Sequence, residues 1–185
     1  MRDEGQKQKV IAVFGSSQPK PGSAAYEQAK EVGQHLAQAG FAVATGGYAG
    51  TMAAVSQGAA SAGGHVVGVG CTRIEQFRPG GLNEWVVEPV YYDTLQERLL
   101  HLVTNNDGMI ALPGGIGTLS ELSLAWSLLQ VREIEARPLV LLGDIWRRTM
   151  EAFIHTDYVH PEHTDLLYFA STPAEAVQII GKHYP

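Results

Sequence analysis

A chain of 185 residues with 45% hydrophobic content is long enough to bury the core of one α/β domain. A formal charge of −6 disfavours a nucleic-acid polymer as partner, and a single cysteine, Cys71, excludes an intramolecular disulfide framework and reads as a reducing, cytoplasmic setting. No apolar h-region opens the chain and no apolar run approaches ~20 residues, so neither a signal peptide nor a membrane span is expected.

Residues 1–9 read as a polar tail and residues 10–185 as a single domain. Val10-Ile11-Ala12-Val13-Phe14 is a continuous apolar run ending in Gly15-Ser16-Ser17, the pattern of a buried parallel strand. Tyr26 to Ala39 has helical spacing and is stopped by Gly40; Phe41 to Thr45 is a second strand, followed by Gly46-Gly47-Tyr48-Ala49-Gly50. An alanine-rich helix, suited to close packing on a sheet, is expected from Thr51 to Ala62, and a third strand from Gly64 to Gly70. Thr72 to Pro89 is expected to be irregular, with a turn at Pro79-Gly80-Gly81, and to cover the ligand site. Helix from Leu95 to Asn105, strand from Gly108 to Leu112 and helix from Leu119 to Val131 follow. The last elements are a strand from Pro138 to Leu142, a helix from Ile145 to His155, a short strand from Leu166 to Phe169, and a helix opened by Pro173. Strands alternating with helices predict a doubly wound, Rossmann-like parallel sheet with helices on both faces and its site at the carboxyl edge.

Pro113-Gly114-Gly115-Ile116-Gly117-Thr118 carries three glycines between a strand and a helix, an arrangement that brings backbone N–H groups to an anion at a helix N-terminus. Each glycine removes a Cβ and permits φ > 0. Gly46-Gly47-Tyr48-Ala49-Gly50-Thr51 repeats the arrangement, so the pair reads as a phosphate or nucleotide site rather than two ordinary turns. No Walker A pattern is present, the first βα turn lacks G-x-G-x-x-G, and Thr45 stands where a dinucleotide site wants a carboxylate, which disfavours NAD.

Two charged residues carry alternatives. Thr118-Leu119-Ser120-Glu121 fits a capping box, yet the helical projection puts Glu121 in an apolar sector beside the glycine loop, where a carboxylate suits catalysis or ligand binding. Arg98, at the edge of the stripe Leu95, Leu99, Leu102 and Val103, either snorkels to solvent or reaches into a cleft for phosphate or a purine. His155, His160 and His163 have no metal-site spacing and read as loop histidines, so no metal is expected.

Pro113 to Glu121 resembles the PGGxGTxxE motif of the LOG (Lonely Guy) family, and Gly46 to Met52 resembles its GGGxxGLM loop; the likeness runs from Val10 to about Ile180. It implies a Rossmann-like homodimer that binds nucleoside 5′-monophosphates and hydrolyses the N-glycosidic bond of adenine-type nucleotides to free base and ribose 5-phosphate, with no cofactor. It also implies Glu121 as the catalytic acid residue, Arg98 as its partner, and Gly114, Gly115, Gly117 and Thr118 around the phosphate. Pro113, Gly15, Ser16, Gly46, Gly47, Gly50 and Thr51 are expected with them as phosphate- or nucleotide-binding residues. The chain departs from the family at Leu99, where LOG proteins carry lysine after the arginine. The wider superfamily includes molybdenum-cofactor carriers, so a binding-only protein is the alternative. The older label of lysine decarboxylase fails, because none of Lys7, Lys9, Lys20, Lys30 and Lys182 follows a site strand where a pyridoxal phosphate Schiff base would form.

Overall fold

The computed structural model describes residues 8–77, 80–154 and 157–184. The apolar runs become the strands β1 (Val10–Phe14), β2 (Ala42–Thr45), β3 (Val66–Cys71), β4 (Glu88–Tyr92), β5 (Gly108–Ala111), β6 (Leu139–Leu142) and β7 (Leu167–Ala170). They form one parallel sheet in the order β4-β3-β2-β1-β5-β6-β7. The helices are α1 (Ala24–Gln38), α2 (Thr51–Ser61), α3 (Thr72–Phe77), α4 (Leu95–Thr104), α5 (Ile116–Gln130), α6 (Asp144–Ile154), α7 (Pro161–Thr164) and α8 (Pro173–Lys182). The doubly wound expectation holds. Strand order reverses between β1 and β5, and the crevice outside the carboxyl ends of strands at such a reversal is where open α/β sheets bind ligands.

Alternation along each strand divides the interior into two layers. Ile11 and Val13 of β1 pack with Val32, Leu36, Val55 and Ile180 from α1, α2 and α8. Ala12 and Phe14 point the other way, toward Leu102, Leu122, Leu128 and Trp146 from α4, α5 and α6. Seven residues before β1 lie outside the description, but the start of the chain that is seen is anchored: Gln8 Nε2 donates to the Gly40 carbonyl at 2.9 Å, and Lys9 pairs with Asp107 at 2.9 Å.

Three expectations are corrected. The stretch after Thr72 is not irregular throughout, since α3 occupies its start and β4 begins at Glu88. β4 is an edge strand with mostly exposed side chains, so it lacks the apolar run that marks the others, and an edge also tolerates Pro89. α5 begins at Ile116, not Leu119, with Gly117 inside its first turn and Gly115 as N-cap. A short α7 occupies residues around His163 that read as loop. Pro79 of the expected turn and His155 lie outside the described residues.

The small residues of α2 serve a helix more than the sheet. A Cβ at Gly33 of α1 would collide with the Val55 carbonyl oxygen, and one at Gly58 of α2 with the Lys30 carbonyl oxygen. The two helices therefore touch backbone to backbone through reciprocal glycines. Helix propensity alone predicts that Gly58→Ala stabilises the chain by about 1 kcal/mol. The packing predicts the opposite sign, a loss of about 2 kcal/mol or more in urea unfolding, because no side chain can move to admit the methyl group.

Candidate active site

The residues singled out in the sequence converge on the carboxyl ends of β1, β2, β3 and β5. Thr94 caps α4: its hydroxyl accepts from the Glu97 amide while the Glu97 carboxylate accepts from the Thr94 amide, and this capping box sets the helix so that Arg98 points inward. Arg98 does not snorkel. It is 6% exposed, and its Nε donates to the Val69 carbonyl at 2.7 Å while Nη2 donates to the Gly46 carbonyl at 3.2 Å. Its guanidinium lies 5.6 Å from the centre of the Tyr48 ring, within cation–π range. Tyr48 is itself pinned, for its hydroxyl accepts from the Cys71 amide at 2.7 Å and donates to the Cys71 carbonyl at 3.2 Å.

Glu121 approaches Arg98 from α5, with Oε1 4.0 Å from Nη1, the outer limit of an ion pair. The capping alternative is excluded, because Glu121 lies in the second turn of a helix whose N-cap is Gly115. It is 8% exposed and has no hydrogen-bond partner among the described residues. Burial pushes its carboxyl up to about 7, and the Arg98 guanidinium pulls in the opposite direction too weakly to restore the ordinary value. Thr118, one turn earlier on the same face, is 2% exposed, and its hydroxyl also has no partner among the described residues. Neither group is fully enclosed, since among the described residues the one enclosed side-chain polar atom without a partner is Asn106 Oδ1. The two unpartnered groups on adjacent turns of α5 keep a narrow outlet, through which a ligand group could reach them.

The glycines of the two loops have different uses. A Cβ at Gly46 would overlap the Arg98 guanidinium, one at Gly47 would meet Leu82, and one at Gly50 would enter the backbone of Ser16 and Ser17. Gly47 (φ 76°) and Gly50 (φ 71°) also occupy the left-handed region. Gly15 makes room for the Thr51 side chain, whose hydroxyl donates to the Ser16 carbonyl at 3.1 Å beside the Thr51 amide at 2.8 Å. The loop after β2 is thus accounted for by packing, and it locks the loop after β1 in place. The loop after β5 differs. None of Gly114, Gly115 and Gly117 has a positive φ, contrary to the expected need. Gly114 leaves room for the Thr118 side chain, while a Cβ at Gly115 or Gly117 would stand in open space. Those two positions face outward at a helix N-terminus whose cap offers no side-chain acceptor.

Pro113 and Gly114 share an open depression of about 620 Å³ with Ser16, Gln18, Lys20 and Ser23 from the turn between β1 and α1. Asn83, from the stretch expected to cover the site, donates from its side chain to the Gly47 carbonyl at 2.8 Å and so closes over the second glycine loop. Sequence reasoning missed Tyr48, which stacks on the Arg98 guanidinium, and did not single out Lys20, which lines the depression. An aromatic inside a glycine loop and a lysine between two prolines are the signals that stood for them. His160 and His163 stack edge to face at 5.5 Å, and among the described residues no group of three His, Cys, Asp or Glu side chains is arranged to hold a metal ion.

Known proteins share the sequence pattern and the fold. Over 185 residues the chain is 32% identical to a probable cytokinin riboside 5′-monophosphate phosphoribohydrolase of rice (Oryza sativa subsp. japonica), covering 95% of this chain and 71% of the relative. It is 29% identical to the cytokinin riboside 5′-monophosphate phosphoribohydrolase of Mycobacterium tuberculosis, with 91% of both chains covered. The fold is shared with the molybdenum cofactor binding protein of Rippkaea orientalis at a TM-score of 0.77 and 24% identity, over 98% of this chain and 100% of that one. Residues 8–176 match the SLOG cluster4 family, and the LOG-named relatives bear out the resemblance read from the glycine motifs: the chain belongs to the SLOG cluster4 family.

Proposed function

We propose that this protein is a phosphoribohydrolase that cleaves the N-glycosidic bond of a purine-type nucleoside 5′-monophosphate to free base and ribose 5-phosphate, with Glu121 and Arg98 as its catalytic residues. The observation that carries the reading is the pair of buried, unpartnered groups on α5, Thr118 and Glu121, behind a glycine loop open to an anion. The activity in the names of the relatives supports it. The 5′-phosphate lies against the amides of Gly114 to Thr118, where the helix dipole favours it. The C1′–N bond breaks with its electron pair leaving on the base, and positive charge develops on the ribose. A buried carboxylate stabilises that oxocarbenium and accepts a proton from the attacking water. That proton is then returned to the departed base, which leaves as the neutral free base. A carboxyl poised at about 7 suits proton transfer at neutral pH. Arg98, immobilised by two carbonyls and a ring, holds its charge in fixed position.

Leu99 is the residue that favours a binding-only alternative, because it removes a cation that LOG proteins carry. Wild-type protein incubated with a panel of nucleoside monophosphates decides between the two: release of free base supports the enzyme, whereas binding of AMP without release of adenine leaves the carrier. In that event, hydrolysis gained by Leu99→Lys identifies the missing cation as the cause.

Glu121→Gln keeps size and loses charge, so kcat is expected to fall by about 10²-fold or more with KM little changed, since the interaction strengthens in the transition state. In the wild type kcat/KM rises with pH to a plateau above about 7 as the carboxyl ionises, and the variant lacks that limb.

The same carboxyl makes a thermal prediction. Its folded pKa is raised from 4.5 to about 7, so the folded state holds a proton that the unfolded state has lost. Stability therefore falls as pH rises from 4.5 to about 7 and remains reduced above. Glu121→Gln should raise Tm at pH 8 by roughly 5–10 °C and change it little at pH 4.5. An equal Tm gain at both pH values would show that the carboxylate is not what costs stability.

We also infer a homodimer. The apolar breadth of α5, through Leu119, Leu122 and Trp126, lines a half-open groove of about 520 Å³ whose other wall includes Met150 and Phe153 of α6. The exposed apolar side chains of the neighbouring layer, Leu95 and Leu100 on α4 and Val131 at the end of α5, are what a second copy would cover. Sedimentation should give twice 19.9 kDa at micromolar concentration, and a monomer mass would end the proposal.

A further inference from the structure

We propose that Lys20 is the cation of the phosphate subsite, and that the depression between the β1–α1 turn and Pro113-Gly114 takes the phosphate monoester of the substrate. The inference rests on the nucleotide reading above and specifies which side chain supplies the charge.

Several observations support it. Lys20 lines the same depression as Gly114, the residue against which the unpartnered Thr118 hydroxyl is folded. Its backbone is restrained from both sides by Pro19 and Pro21, which fix their own φ and push Gln18 and Lys20 toward extended conformations. The turn is closed by the Ser23 amide donating to the Lys20 carbonyl at 3.0 Å. A long, flexible cation is thereby mounted on a stiff base, so little backbone entropy is lost when it engages a ligand.

The charge of Lys20 is also uncommitted. Among the described residues no carboxylate lies within ion-pairing distance of it. The other cations near the site are committed: Arg98 donates to Val69 and Gly46, and Lys9, on the far end of β1, is paired with Asp107. The depression is flanked by two helix starts, since Ser23 and Ala25 open α1 while Pro113 and Gly114 lead into α5. In a chain of net charge −6, a phosphate dianion needs local compensation. The uncapped start of α5 with a lysine beside it supplies it. The start of α1 is already served by Ser23, whose hydroxyl accepts from the Tyr26 amide, and carries Glu27 in its first turn. Lysine suits this role as a point charge that adapts to a tetrahedral phosphate, where arginine suits planar bidentate contacts.

The subsite is remote from the glycosidic bond, so its contribution is uniform binding, equal in ground and transition states. Calorimetry with AMP and adenosine on the wild type, Lys20→Gln and Lys20→Arg tests this. AMP affinity should fall about tenfold in Lys20→Gln, stay within about threefold in Lys20→Arg, and lose part of its salt dependence in the first variant only. Adenosine affinity should not change in either. In turnover, KM for AMP rises in Lys20→Gln while kcat is retained. If the wild type prefers AMP to adenosine and Lys20→Gln binds AMP equally well, the phosphate reading survives and Lys20 is not its cation. If the wild type binds both alike, the phosphate reading falls and this inference with it.

Discussion

The burial of the Arg98 guanidinium at the carboxyl edge of the sheet is the contact on which the site depends. A charge moved from water into a protein interior costs several kcal/mol unless every donor is satisfied. Arg98 meets part of that cost through the Val69 carbonyl of β3, the Gly46 carbonyl after β2 and the face of Tyr48, while its Nη1 stands 4.0 Å from Glu121. These partners come from separate segments, so the arginine ties the second glycine loop, the third strand and α4 into one rigid edge. Gly46 is a glycine because the guanidinium needs its space, and Met52 is packed against the same point. The loop after β2 then fixes the loop after β1 through Thr51 and Ser16. What remains open is the loop after β5.

Glu121 is the counterpart that this arrangement leaves unsatisfied. The arginine spends its strong hydrogen bonds on carbonyls and stays 4.0 Å from the carboxylate. A shorter, bidentate pair would hold Glu121 ionised and chemically inert. At this separation desolvation outweighs attraction, and the carboxyl is raised to about 7. The geometry keeps the group close enough to feel the cation and too far to be neutralised by it. A structure selected only for stability would replace such a carboxylate with an apolar side chain, so its cost is reasonably charged to function.

How much of this was legible in the sequence follows from what each element buries. β1, β5 and β6 are buried on both faces, and their unbroken apolar runs announced them. β4 is half-exposed at an edge, contains Pro89, and left no run to read. The start of α5 was misplaced because Gly115 and Gly117 look like loop, and because Thr118 to Glu121 imitates a capping box. The true cap is a glycine with no side chain, a choice that leaves the helix N-terminus open to an anion. That the Glu97 capping box was real and the Glu121 one was not has a physical basis: Thr94 precedes its helix in an extended conformation, whereas Thr118 is already inside a turn. Convergence of Arg98, Tyr48 and Glu121 came from topology, which no local pattern carries.

Leu99 is better understood with the packing in view. Arg98 and residue 99 are successive on α4, about 100° apart around the helix, so a cation at 99 would approach the crevice from a different side than Arg98. Leu99 is partly buried against the layer of Leu102, Met109 and Leu122, on the apolar side of the helix. An ammonium there would have to rise out of that layer to reach a ligand, whereas leucine completes it. The chain has exchanged a cation on α4 for core packing. Any compensation for a phosphate must then come from across the sheet's switch point, from the turn between β1 and α1. That turn carries two prolines, a tight closure at Ser23 and an uncommitted lysine facing the glycine loop. On the proposed reading, the cation stands on the wall that would hold the phosphate rather than on the wall that would hold the reacting bond. Such an arrangement would preserve binding while altering the field at the bond that breaks, so affinity and turnover fall, on that reading, to different walls of one crevice.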